Sequence, residues 1–290
     1  MAETILVLSA NSKVGAEAAR QLQSTGANVR LGVRNPAKQA LTGAVEADLD
    51  RPETLVTAMD GVSKVLLTTA ATANQVEQHS AAISAAGGAG VRHMVRVSVT
   101  GADPGSPLFL LRTNGETERE LETSGMAFTH LRPQSFMQNL LGMAPAIAQG
   151  QLFGCTGEGK FPVVDVRDIA AVAVAALLDP GHAGRAYEIT GPAALSHGEQ
   201  AEILGRVLGI PARYIHVPAA AMADGMVQAG YPQWLAEDLA YLHGEIIAKG
   251  LAAQVSRDVE AVLGRPPIDF ETFARDHAAA FLKGGPGGTS

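Results

Sequence analysis

The residues best placed to do chemistry lie in the first 34 positions. Four apolar residues, Ile5 to Leu8, lead into the turn Ser9-Ala10-Asn11-Ser12-Lys13-Val14-Gly15. A buried strand that runs straight into a helix leaves the first helical amides without intrahelical partners. Those amides and the helix dipole favour an anion whatever the loop side chains are. Ser9, Asn11, Ser12, Lys13, Val14 and Gly15 are therefore the candidate phosphate contacts, with an ordinary strand-to-helix turn as the alternative. A dinucleotide-binding turn usually carries three glycines, for a sharp turn, close approach to the pyrophosphate and tight helix-on-strand packing. Here only the last, Gly15, is present, and Ser9 and Ser12 stand where the first two would fall. A serine hydroxyl can bond a phosphate, but its Cβ keeps the backbone farther off, so weaker binding is expected. Arg34 follows Gly15 by 19 residues, where an NAD-specific site would place a carboxylate for the ribose hydroxyls. An Arg there, with Lys38 nearby, favours a 2′-phosphate and hence NADP(H); otherwise it is a solvated charge.

Holding these groups requires a βαβ unit. Val14, Ala18 and Leu22 recur at helical spacing, Thr25-Gly26 supplies a stop, and a second strand begins at Asn28. The alternation continues with a strand over 44–47, a helix over 52–59, a strand over 62–68 with Thr69 just beyond it, and a helix over 74–86 closed by Gly87-Gly88. A fifth strand over 93–98 precedes a turn-rich loop over 101–107, a helix over 116–123, and a sixth strand over 127–131 broken by Arg132-Pro133. This order predicts an α/β, doubly wound parallel-sheet Rossmann fold. The pattern then changes. Residues 136–147 read as one apolar helix and 152–160 as a Gly-rich loop. Residues 165–178 are a helix, 186–190 a strand, and Ser196 with Glu199 forms a capping box for a helix to Leu208. The chain beyond Pro211 is mainly helical. The expected division is a nucleotide domain over 1–135 completed by 160–190, a smaller, mainly helical C-terminal substrate lobe from 136–159 and 191–283, and a flexible tail over 284–290.

The 290 residues carry one Cys and a net charge of −7, so no internal disulfide forms. The absence of a Lys/Arg block argues against a nucleic-acid partner. No apolar run reaches the roughly 20 residues of a membrane span, and the N-terminus lacks the pattern of an export signal, so no membrane partner and a cytoplasmic location are expected. The eight His show no metal-like spacing, so no metal is expected. A monomer or homodimer is expected.

Several short pieces occur in a telling order: Val33-Arg34-Asn35-Pro36-Ala37-Lys38, Ala47-Asp48-Leu49-Asp50, Gly115-Glu116-Thr117-Glu118-Arg119, Leu131 through Asn139, and Asp165-Val166-Arg167-Asp168-Ile169-Ala170. With the opening turn they resemble the NmrA-like group of atypical short-chain dehydrogenases, whose turn usually reads close to Thr-Gly-Ala-Thr-Gly-Lys-Val-Gly. The resemblance implies NADP(H) as cofactor, with Asp48 touching the adenine and Thr69 among the cofactor contacts; a turn or helix-cap carboxylate is the other reading of Asp48. An ordinary short-chain dehydrogenase has Tyr and Lys four residues apart on the helix after the fifth strand, to protonate a new alkoxide. Those positions fall here on Leu110 and Asn114, and neither can serve. Ser98 matches the third member of that set, and Lys160 is a second candidate for the catalytic proton, with water and the substrate as the other sources. Phe136, Met137, Asn139 and Trp234 are expected at a substrate pocket, unless they are only core. The leading expectation is an NADPH-dependent reductase of a quinone or ketone on a hydrophobic, aromatic small molecule. A non-catalytic nucleotide sensor and a non-redox cyclase or isomerase are the rivals.

Overall fold

The computed structural model describes residues 3–39 and 41–283, and the tail expected over 284–290 lies outside them. Its strands in chain order are β1 (Thr4–Leu8), β2 (Asn28–Val33), β3 (Val45–Glu46), β4 (Lys64–Leu67), β5 (His93–Val97), β6 (Ala127–Pro133), β7 (Gln151–Gly154), β8 (Lys160–Phe161), β9 (Arg185–Ile189), β10 (Leu195–Ser196) and β11 (Arg213–His216). Two compact units result. One comprises residues 1–133, 166–189 and 261–264, and the other 134–165, 190–260 and 265–290.

In the first unit seven parallel strands form one sheet in the order β3-β2-β1-β4-β5-β6-β9. Parallel strands covered on both faces must be apolar on both faces, and Leu6, Leu8, Val65, Leu67 and Met94 are all buried in one cluster with Leu55, Met59, Ile83 and Leu121 from the covering helices. Those helices are α2 (Pro52–Ala58), α3 (Gln75–Gly88) and α4 (Phe109–Thr123), and α1 (Lys13–Ser24) packs against β1 and β2. The doubly wound Rossmann fold is thus the fold of this unit.

Several boundaries differ from the sequence expectation. Gly87 and Gly88 lie inside the last turn of α3, and the chain leaves through Gly90 at φ 73°. Helix α4 starts seven residues earlier than expected, at Phe109. Gly115 therefore lies mid-helix, where the lack of a side chain lets the Asp103-Pro104 backbone approach closely: a Cβ there would lie 2.3 Å from the Pro104 nitrogen. Pro133 ends β6 rather than breaking it, since a terminal position needs no N–H, and its carbonyl accepts from the Thr100 amide at 3.1 Å.

In the second unit the expected single helix over 136–147 is a 3-10 segment, Met137–Met143, followed by α5 (Ala144–Ala148). Pro145, in the first turn of α5, cannot continue an α-helix from the preceding turn. The expected loop over 152–160 instead supplies β7, parallel to β11, and β8, antiparallel to β10. Residues 160–165 therefore belong to this unit, not to the completion of the first. Chain returns to the sheet unit at α6 (Val166–Leu178). The capping box forms as read: Ser196 Oγ accepts from the Glu199 amide and Glu199 accepts from the Ser196 amide, opening α7 (His197–Leu208), which ends at Gly209 with φ 68°. A hairpin of α8 (Ala219–Gln228) and α9 (Gln233–Tyr241) packs on Ala223, Ala236 and Ala240, and a π-helical turn, Leu242–Ile247, follows. Among the described residues no helix is long and apolar enough to cross a membrane.

This unit holds a buried His197 and a half-buried His243 with ring centroids 6.0 Å apart. Burial pushes His197 down to about 3, with the neighbouring His243 assisting, and burial pushes His243 down to about 4. The folded chain therefore refuses protons that the unfolded chain takes up near 6.5, so this stability is present above that pH and is lost as pH falls toward 4. Urea unfolding followed by Trp234, the chain's sole Trp, should lose roughly 3 to 5 kcal/mol between pH 6.5 and 4.5. A flat profile across that window would contradict the neutral state of both rings.

Candidate active site

In the first unit β1 is flanked by β2 on one side and β4 on the other, the point at which a doubly wound sheet reverses and opens its ligand crevice at the strand carboxyl ends. The β1–α1 turn closes on itself there. The Ser12 amide donates to the Ser9 carbonyl at 2.8 Å, and Ser12 Oγ caps α1 by accepting from the Gly15 amide at 3.0 Å. Ser9 is at φ 51°, the one positive value at a non-glycine among the described residues. It thus adopts the left-handed conformation for which the first glycine is normally used, at a cost of roughly 1 kcal/mol. Gly15 keeps its own role: a Cβ there would lie 2.3 Å from the Ser9 carbonyl oxygen and 2.9 Å from Ser12 Oγ. Val14 is buried, whereas Asn11 and Lys13 are exposed at the helix start. This backbone cradle fits a pyrophosphate, although an incoming oxygen must compete with Ser12 for the Gly15 amide.

Beyond β2, the exposed guanidinium of Arg34 lies 3.6 Å from Asp48 and 3.9 Å from Asp50. Lys38 ends the exposed 3-10 turn Pro36–Lys38. Asp48 accepts from the Asp50 amide at 3.1 Å, so it is a turn carboxylate as well as a partner of Arg34. Asp50 also accepts from Gln78 and Asn74, which with Gln78 foremost hold its carboxyl below the usual range. Thr69, two residues past β4, is bonded through Oγ1 to His79 Nε2 at 2.9 Å. The turn, Arg34, Lys38, Asp48 and Thr69 all lie at carboxyl ends of neighbouring strands.

The positions of the missing Tyr and Lys are occupied structurally. Asn114 is buried, accepts from Arg96 Nη2 at 2.7 Å and donates to the Leu110 carbonyl at 2.8 Å. Arg96 is fully buried and also bonds Thr117 and His79. Burial lowers its pKa to about 10 against the pull of Glu118, so it remains a cation at neutral pH. Arg132 bonds both oxygens of Glu118. Burial works to raise the Glu118 pKa, but the Arg132 hydrogen bonds and the neighbouring positive charge outweigh it and hold the carboxyl below its usual range. Ser98 is buried, and its Oγ has no hydrogen-bond partner among the described residues. Glu118, Glu122 and His130 bring ligand-type atoms within 4.8 Å of one another, yet the two guanidinium groups already balance Glu118, and a cation there would meet repulsion. Arg96, His79 and Glu118 had not been singled out from the sequence. An Arg between Val95 and Val97 in a buried strand was the available signal.

In the second unit Lys160 is in β8 and pairs with Glu199 of the capping box; it is not in a free loop. Met137 is core, with a side chain that also forms one wall of a cavity of about 210 Å³ lined by Val163, Leu195, Ile203 and Phe270. Phe136 is half-buried and bridges Val164, Asn139 is exposed, and Trp234 is half-buried on α9.

The chain is 40% identical over 283 residues to the NAD(P)H azoreductase of Xenophilus azovorans, covering 96% of this chain and 99% of that one. It is 34% identical over 242 residues to quinone oxidoreductase 2 of Escherichia coli, covering 81% and 84%. An NADPH-dependent quinone oxidoreductase from Escherichia coli, solved in complex with NADPH, superposes with a TM-score of 0.83 at 30% identity over 94% of this chain and 99% of that one. The model of the NmrA-like family matches residues 1–264. The chain, with its serine-substituted nucleotide turn and its buried Asn114, belongs to the NmrA-like family.

Proposed function

We propose that the protein is an NADPH-dependent reductase of flat conjugated acceptors, quinones or azo compounds, and that it works without a protein acid at the reacting atom. The observation that carries this is Asn114, tied to Arg96 and Leu110 where a catalytic Lys would stand, with Leu110 in place of the Tyr. The relatives' reductase activities favour redox chemistry over nucleotide sensing or cyclisation.

NADPH supplies the hydride. Gly15 and Ser12 shape the turn for the pyrophosphate, Arg34 meets the 2′-phosphate with Lys38 nearby, and Asp48 orients the Arg34 guanidinium. Hydride addition to a simple ketone leaves a localised alkoxide, which needs an acid in place during transfer. Addition to a quinone spreads the charge over the ring, and water can then protonate the product. The same delocalisation holds for an aromatic azo group. Ser98 and Lys160 have no part in this account, since one is buried and the other is bound to Glu199. Phe136 and Trp234 supply the aromatic surface that the second unit offers to a flat ring.

Arg34 tests the cofactor assignment. A charge-assisted contact contributes roughly 1.5 to 3 kcal/mol, so Arg34→Ala should weaken NADPH binding by about one to two decades and leave NADH nearly unchanged. Equal losses for both nucleotides, by titration of the intact chain, would place the 2′-phosphate elsewhere.

A further inference from the structure

We infer that Thr69 is a directional hydrogen-bond donor to an oxygen of the bound dinucleotide, and that a buried relay through His79 and Arg96 fixes that direction. The inference rests on the dinucleotide reading given above and adds two positioning residues to it.

The polarity follows from counting protons. Arg96 can only donate, because a guanidinium has five N–H groups and no acceptor. Its Nε lies 3.2 Å from His79 Nδ1, so Nδ1 must carry the lone pair. A neutral imidazole with a lone pair on Nδ1 has its proton on Nε2. His79 Nε2 is 2.9 Å from Thr69 Oγ1, so the ring donates and the hydroxyl accepts. The single Thr69 hydroxyl proton is then left to point elsewhere. His79 is the hydroxyl's one hydrogen-bond partner among the described residues.

The rest of the relay cannot reverse. Arg96 is anchored by Asn114 and Thr117 as well as His79, all of them buried. Burial and then the Arg96 charge both hold His79 well below the usual imidazole range, so the ring stays neutral at physiological pH. Thr69, in contrast, is only half-buried and follows β4 at the carboxyl end next to that of β1, whose turn cradles phosphate. The relay runs from the buried layer under α4 to the crevice mouth. At its outer end a hydroxyl is held ready to donate to phosphate or ribose oxygen. An acceptor-rich ligand such as a dinucleotide is what a fixed donor suits.

The test uses the full chain labelled with ¹⁵N-histidine, the His79 signals being assigned by their disappearance in His79→Gln. Long-range ¹H–¹⁵N spectra should show His79 protonated on Nε2 and unchanged between pH 6 and 8. With NADP⁺ as probe, Thr69→Val should weaken binding about tenfold and Thr69→Ser should restore it. His79→Gln can still accept from Arg96 and donate to Thr69, so it should bind close to wild type, while His79→Leu should match Thr69→Val. An Nδ1-protonated ring overturns the proposal even if His79→Leu fails to fold. So does wild-type NADP⁺ affinity in Thr69→Val, in a protein that still loses affinity on Arg34→Ala. Absence of NADP⁺ binding by the wild-type chain would remove the dinucleotide reading itself, and this inference with it.

Discussion

Installing the missing lysine, Asn114→Lys, should unfold or nearly unfold the first unit instead of raising activity. Asn114 is buried, and its Oδ1 is one of the acceptors that hold the fully buried Arg96. A lysine removes that acceptor and sets a second cation against the guanidinium in a buried site. Breaking a buried charged network in this way costs roughly 3 to 5 kcal/mol, a large part of a typical domain's stability. Leu110→Tyr alone is the control. Leu110 is half-buried, so a folded protein with unaltered quinone reduction is expected. Denaturant midpoints and NADPH oxidation rates on both variants decide the matter. A stable Asn114→Lys, or a Leu110→Tyr/Asn114→Lys double variant faster by several decades, would mean that this is an ordinary dehydrogenase site with damaged parts.

Gly15→Ala should cost less stability but should act on the cofactor as well. Its Cβ would lie 2.3 Å from the Ser9 carbonyl oxygen, a backbone atom that can move only if the turn moves. Overpacking of this kind costs roughly 1 to 3 kcal/mol, and displacement of a binding loop by about 1 Å can cost about a hundredfold in function. NADPH affinity should therefore fall by about two decades. Ser9→Gly is the opposite experiment. It relieves the left-handed serine at the expense of a more flexible unfolded chain, for a net gain of about 0.5 to 1 kcal/mol, and NADPH should bind at least as well as before. Unchanged affinity in Gly15→Ala would show that the phosphate lies away from this turn.

The sheet was legible because its information is local. Ile5 to Leu8, Val65 to Leu67 and Met94-Val95 are apolar runs of strand length, and Ser196 with Glu199 marks a helix start at fixed spacing. The crevice was legible for the same reason, since residues just after successive parallel strands converge at one edge whatever their side chains are. What the sequence hid depends on distant partners. The short strands β7 and β8 exist only by pairing with β11 and β10, which follow them by some 35 residues or more. The close approach of Pro104 to Gly115 in α4 likewise joins a loop to a helix residue that no local pattern marks. The relay from Thr69 to Arg96 joins β4, α3, β5 and α4, and no spacing rule reports hydroxyl, imidazole and guanidinium groups that meet only after the sheet has formed. Ser98 and Lys160 follow from position in the sequence alone, whereas the burial of Ser98 and the pairing of Lys160 with Glu199 depend on residues brought together by folding.

Oxidation of NADPH by the intact chain against paired acceptors tests the central claim most directly. A planar quinone and an aromatic azo dye are set beside an aliphatic ketone of similar size, with kcat/KM measured for each at neutral pH. A positioned acid contributes about 10² to 10⁴ in rate to reactions that need one. Without one, the quinone and the azo dye should exceed the aliphatic ketone by about three decades. An aliphatic ketone reduced as fast as the quinone would contradict the account.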